Sequence, residues 1–247
     1  MLYGQNTMTI PLKILSKQEF LKENPKPDQE AIWDEISVPW EKYRVKTIPI
    51  VEEFLKKVGL ELKNSKRHKK GKIVDLGCGS GRNMIAQEDV EYYAVDFSSC
   101  QIANARMYAE ENNVNAKFFR MGIDKLSKKD FKENMFDAGL FIASLHCLES
   151  KKERHDALAG LYRILKKDAE CLITVWDAND ARFKGLTGDI YMSWLEDGIS
   201  NMRYYYLYSK EELINSLKEI GFKIEQIYEP QNGDRFSKKN LIVRVKK

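Results

Sequence analysis

The chain has 247 residues, 41 Lys plus Arg against 37 Asp plus Glu, and 43% apolar with 11% aromatic side chains, a balance that excludes a disordered chain and suits one α/β domain with appendages. No apolar run approaches the roughly 20 residues of a membrane-spanning helix, and Cys78, Cys100, Cys147 and Cys171 form no C-x-x-C pair, so the expectation is a cytoplasmic protein without membrane association, disulfides or a metal site of its own. The net charge of +4 is mild and makes nucleic acid a permitted partner, not an indicated one.

In chain order, residues 28–43 and 49–60 read as helices after the loop Asn24-Pro25-Lys26-Pro27, which gives an N-terminal helical extension over 1–60. From Gly71 the pattern changes. Apolar β-rich runs at 72–76, 91–95, 116–121, 136–143 and 171–176 alternate with helical segments at 82–87, 98–113, 126–131 and 151–166. That alternation predicts a parallel sheet covered by helices. A Gly- and aromatic-rich insertion over 178–208 follows the fifth strand, then a helix over 209–220 closed by Gly221 and strands at 222–228 and 241–245. Residues 61–247 thus form one core with an insertion. Two basic runs, Lys63, Lys66, Arg67, Lys69, Lys70 and Lys72, and Lys125, Lys128, Lys129 and Lys132, are solvated faces or phosphate contacts.

The strongest chemical signal is Val74-Asp75-Leu76-Gly77-Cys78-Gly79-Ser80-Gly81-Arg82-Asn83, a strand entering a glycine turn. Glycines let the backbone turn sharply and approach a ligand. A dinucleotide fingerprint would require glycine where Arg82 stands, so the pattern is D-x-G-x-G-x-G. Asp96 ends the next strand nineteen residues after Gly77, where a carboxylate can accept both ribose hydroxyls of a nucleoside. These residues resemble the class I S-adenosylmethionine-dependent methyltransferases. The resemblance implies a Rossmann-like seven-stranded sheet with helices on both faces, S-adenosyl-L-methionine as cofactor, and contacts from Asp75, Gly77, Cys78, Gly79, Gly81, Arg82, Asn83, Asp96 and Ala143. It also implies an adenine contact near Asp124, with Gly122 and Ile123 as rivals. Ser144-Leu145-His146-Cys147 follows the fourth strand, and His146 is open to two readings, a packing group and a substrate contact.

Three further stretches narrow the resemblance. Trp33-Asp34-Glu35-Ile36 with Tyr43-Arg44-Val45-Lys46, Gly188-Asp189-Ile190-Tyr191-Met192-Ser193-Trp194, and Arg203-Tyr204-Tyr205-Tyr206 are similar to segments of the tRNA wobble-uridine carboxymethyl O-methyltransferases. The chain departs from that pattern at Thr47, Ile48, Cys147, Ser193 and Tyr206. The resemblance implies transfer to the carboxylate of 5-carboxymethyluridine in a tRNA anticodon loop, with His146 and Arg203 at the reaction centre. Arg44 and Lys46 would hold phosphate or carboxylate, and Trp194, Tyr204 and Tyr205 would stack on the base. The bland reading is that these residues only pack over the sheet. The family also implies a small zinc-ribbon activator at the edge strand 116–121. The rival readings are a small-molecule or protein O/N-methyltransferase and a non-catalytic cofactor-binding scaffold.

Overall fold

The computed structural model describes residues 13–37, 46–65, 70–183, 185–196 and 199–247. Its first part is a short strand β1 (Ile14–Ser16) and the helices α1 (Lys17–Glu23), α2 (Gln29–Glu35) and α3 (Pro49–Asn64). The extension is therefore not purely helical. Residues 38–45, the end of the predicted first helix and the position of Arg44, lie outside the described residues, as do Lys66, Arg67 and Lys69.

The apolar runs become β2 (Gly71–Leu76), β3 (Val90–Asp96), β4 (Ala116–Arg120), β5 (Phe136–Ile142) and β6 (Leu165–Trp176), and the chain ends with β9 (Lys223–Tyr228) and β10 (Asn240–Lys246). They form one seven-stranded sheet in the order β4-β3-β2-β5-β6-β10-β9. The first five are parallel, and β10 runs antiparallel between β6 and β9. Both faces are covered, which is why the central strands read as almost continuous apolar runs. One face, with Val74, Leu76, Val95 and Phe141, packs under α5 (Lys151–Ile164) and α6 (Lys210–Ile220). The other, with Ile73, Ala94, Leu140 and Ile142, packs under α3 and α4 (Ser99–Glu111). Each fully buried Val, Leu or Phe of these helices contributes roughly 1.5–3 kcal/mol. Ser98 caps α4 through the Gln101 N–H, and Ser150 with Glu153 forms a capping box on α5.

Two predicted helices are absent. Residues 82–87 form a turn and then an irregular loop. A Cβ on Gly81 would stand 3.1 Å from Ala105 Cα, so the chain is already pressed onto α4, and α3 fills the remaining face. The loop is tied down instead by Gln87 Nε2, which donates to Leu55 O and to the Tyr92 hydroxyl. Residues 126–131 are also turns, because Ser127 and Asp130 bond each other and Arg163 takes the carbonyls of Leu126 and Phe131. Six residues are too few to nucleate a helix against such competition.

The insertion is a β-hairpin, β7 (Gly188–Glu196) and β8 (Ile199–Leu207), whose outer edge pairs with β1 in a second, three-stranded sheet. Alternation along β7 and β8 divides its residues. Ile190, Met192, Tyr205 and Leu207 join Phe183 in one cluster, and Tyr191 and Tyr204 join Phe20 in another. No helix among the described residues is long and apolar enough to cross a membrane.

Candidate active site

The carboxyl ends of β2, β3 and β5 open onto a cavity of about 740 Å³, the place where open α/β sheets bind ligands. The glycine loop forms one wall. Ile142, Ala143 and Ser144 form the second, and the stretch from Pro27 to Trp33 forms a roof. Helix α2 is held there by Glu30 on Arg120 (2.8 Å), by Asp34 on Ser98, Ser99 (3.0 Å) and the Cys100 N–H (3.3 Å), and by Gln29 Oε1 accepting from Tyr204 N (2.9 Å).

Gly77 and Gly79 both have left-handed backbone, with φ of 71° and 52°. A Cβ on Gly77 would lie 2.3 Å from Ser144 Oγ, whereas one on Gly79 would meet only Gln101 Oε1 at 3.8 Å. Gly79 is therefore the open floor of the loop. Its N–H donates to Asp96 Oδ2 (2.9 Å), and Asp96 Oδ1 accepts from Ser98 N (3.0 Å). Burial pushes the Asp96 carboxyl up to about 6, and the backbone donors oppose that rise. Ala143 is left-handed as well, at φ 53°, a conformation that costs a non-glycine residue about 1–2 kcal/mol. Its N–H is fixed by Thr174 O (3.0 Å) and Oγ1 (2.9 Å).

Asp75 lies behind the loop, fully buried, with no hydrogen-bond partner among the described residues on either carboxylate oxygen. Burial, and then the charge of Asp96, push its carboxyl up to about 7. Asn83 Oδ1 and both amide atoms of Gln101 are also buried and unpaired. Native folds satisfy such groups, so these orphans around an open glycine fit a ligand bearing an ammonium, a carboxylate and hydroxyls. S-adenosylmethionine has that donor set. Cys78, Arg82, Asn83 and Asp124 line the cavity with Gly122 and Ile123, while Gly81 faces α4 and not the cavity.

The expected substrate residues are placed differently. His146 is 1% exposed, stacks on Trp176 and accepts the Trp176 N–H at Nδ1 (3.2 Å). Burial, then Arg182, push its imidazole down to about 3. It is not among the cavity-lining residues, and it packs there as a buried, uncharged ring. Tyr204 is buried under Tyr191, with its hydroxyl held by Asp189 and Arg154, and Tyr205 is buried against Trp176 at 3.9 Å. Neither offers a free face to a base in this structure. Arg203, 2% exposed, lies among the rings of Trp194 (4.9 Å), Tyr205 (5.2 Å) and Trp33 (5.7 Å), one layer behind the cavity wall that Trp33 and Cys147 form. Burial pushes the Cys147 thiol up to about 12, with Arg203 opposing. Trp194 is half-buried, and Lys46 is exposed and away from the cavity.

Gln101, Ser144 and Glu149 line the cavity without having stood out in the sequence. For Gln101 a signal existed: Ser98 as an N-cap places it in the first turn of a helix that starts at the cavity. Glu149 is half-buried, accepts the Tyr191 hydroxyl (3.2 Å), and burial raises its pKa.

Comparison with known proteins adds to this geometry. A methyltransferase domain family matches residues 73–168. The tRNA (carboxymethyluridine(34)-5-O)-methyltransferase of Schizosaccharomyces pombe is 25% identical over 236 residues, covering 85% of this chain and 95% of that protein. A Xenopus tropicalis protein of the same description is 30% identical over 108 residues, covering 43% of this chain and 16% of its own length. Among solved structures, a SAM-dependent methyltransferase from Methanosarcina mazei superposes with a TM-score of 0.60 at 19% identity, covering 82% of this chain and 98% of that one.

Proposed function

The chain is a class I S-adenosylmethionine-dependent methyltransferase, and from that premise we propose that it esterifies the carboxylate of 5-carboxymethyluridine at the wobble position of tRNA. The observation that carries this reading is the similarity to the fission-yeast tRNA methyltransferase over 95% of that protein's length. The buried Arg203, on the strand that follows the hairpin turn, is consistent with it. A guanidinium held by rings offers a planar fork for a carboxylate once an acceptor displaces Trp33 or Trp194.

The cofactor, when bound, supplies an electrophilic methyl group on a sulfonium. The chain's own residues have to hold it, align the acceptor and exclude water. Asn83 on the cavity wall, with Asp75 behind the glycine loop, is assigned to the amino-acid end and Asp96 to the ribose. An ionised carboxylate acceptor already carries its nucleophilic lone pair and needs no general base, which suits a chain whose His146 is buried, uncharged and outside the cavity lining.

Strand β4 is one of the two edges of the large sheet and has no outer partner strand among the described residues, with Phe118 and Phe119 half-buried. A zinc-ribbon activator adding a strand there belongs to the same proposal. A second reading is favoured by the cavity's own charge. Asp28, Glu30, Asp124, Glu149 and Glu153 outnumber Arg82, Arg120 and Lys125 on its walls, which suits a neutral or cationic acceptor of a small-molecule or protein methyltransferase.

Nucleoside mass spectrometry separates the two. Carboxymethyluridine-bearing tRNA is incubated with labelled S-adenosylmethionine, with and without a zinc-ribbon partner. A labelled methyl ester at the wobble base is the expected product. Its absence in both reactions, with cofactor binding demonstrated separately, would transfer the assignment to the second reading.

A further inference from the structure

Gln101 stands in the first turn of α4, 2% exposed, and among the described residues neither its Oε1 nor its Nε2 has a hydrogen-bond partner. A buried amide unpaired at both ends is costly, and such a group persists where a ligand completes it. Gln101 lines the cavity, and its Oε1 is the nearest atom to the open side of Gly79. The same glycine holds Asp96 through its N–H. Gln101 and Asp96 thus flank one point of the cavity floor.

Their chemistries are complementary. An ionised Asp96 only accepts, and each of its oxygens already takes one backbone N–H. A vicinal diol presents two hydroxyl donors and two oxygens that accept. Asp96 can serve the donors, but it has nothing to give the oxygens. Gln101 Nε2 is the missing donor, and Oε1 is a further acceptor.

We infer that Gln101 binds the cofactor's ribose beside Asp96, its Nε2 donating to a ribose oxygen and its Oε1 accepting from a hydroxyl. The glycine loop here is followed by turns and not by a helix, so no row of helical N–H groups aids the loop. The amide of the next helix takes a share of the binding. This inference rests on S-adenosylmethionine as cofactor and not on the identity of the acceptor, so failure of the tRNA assignment leaves it intact.

The test is calorimetric titration of S-adenosylhomocysteine and of methylthioadenosine into wild type, Gln101→Leu and Gln101→Glu. Methylthioadenosine keeps the adenine and ribose and lacks the amino acid. Expected is a loss of about tenfold or more in affinity for both ligands in both variants, since losing one buried hydrogen bond has about that effect. Ligand-free Gln101→Leu should melt no lower than wild type, because an unpaired amide has been removed. If Gln101→Leu weakens S-adenosylhomocysteine but leaves methylthioadenosine unchanged, the amide serves the amino-acid end and the inference is overturned. Unchanged affinity for both ligands overturns it too, as does wild-type binding by Gln101→Glu, which keeps the acceptors and removes the donor. Should Gln101→Leu fail to fold, Gln101→Glu alone decides the matter.

Discussion

Asp75→Asn should make the ligand-free protein more stable at alkaline pH, although it alters a residue assigned to cofactor binding. Asp75 is fully buried with both oxygens unpaired, and its carboxyl is raised from its ordinary 3.8 to about 7. The native state therefore keeps a proton that the unfolded chain releases. Stability is full below about pH 4, falls as pH rises toward 7, and levels off above that. At roughly 1.4 kcal/mol per pH unit, the loss approaches about 4 kcal/mol at pH 8, with about 1 kcal/mol of it arising between pH 6 and 8. Asp96, raised to about 6, and His146, lowered to about 3, add their own pH dependence to both proteins, so the difference between wild type and variant isolates Asp75. Urea unfolding of both proteins without ligand measures the difference. From pH 6 to 8 the advantage of Asp75→Asn over wild type should widen by about 1 kcal/mol, leaving the variant more stable at pH 8. Saturating S-adenosylhomocysteine should then stabilise wild type more than the variant, because its ammonium gives the buried carboxylate a partner. A variant that is less stable than wild type at pH 8, or one with the same slope, would refute the account of Asp75 as an ionisable group awaiting a cation.

Gly79→Ala should fold with a cost of about 1 kcal/mol, since its φ is 52° but its Cβ would meet open space, and it should bind S-adenosylhomocysteine at least about tenfold more weakly by calorimetry. Unchanged affinity would mean the cofactor does not lie on that glycine. His146→Gln should leave the shape of the pH–rate profile between pH 6 and 9 unaltered, because the imidazole is neutral throughout with a pKa of about 3. The same change should flatten the loss of stability as pH falls below about 6.5, where the unfolded chain takes up a proton that the buried ring refuses, at roughly 1.4 kcal/mol per pH unit. A new inflection in the rate profile would return His146 to the reaction. Arg203→Lys should raise the KM for carboxymethyluridine-bearing tRNA by about tenfold or more and leave cofactor affinity alone, since a lysine lacks the fork. A normal KM in a merely less stable protein would make Arg203 part of the packing.

The features that local chemistry dictates were legible in the sequence. The glycine turn, Asp96 at a strand end, the cap at Ser98 and the apolar runs of the large sheet each depend on residues close in the chain, and each stands where its pattern places it. The misses depend on distant partners. Residues 82–87 have an amphipathic look, but α3, thirty residues earlier in the chain, already covers the face a helix there would bury. Strand β1 is three residues long and exists only because β7 pairs with it. The hairpin itself left a readable trace in Ile190-Tyr191-Met192-Ser193, where alternate residues enter different clusters. Tyr204 and Tyr205 show why the acceptor site was harder to read than the cofactor site. They are neighbours of nearly identical chemistry, yet the register with β7 sends one toward Phe20 and the other toward Trp176. A run of tyrosines therefore does not distinguish a stacking platform from two cores. Arg203, one residue earlier on the strand, is different in kind: a buried guanidinium among rings has to be maintained against its desolvation, so the Arg203→Lys measurement is the one that separates an acceptor contact from packing.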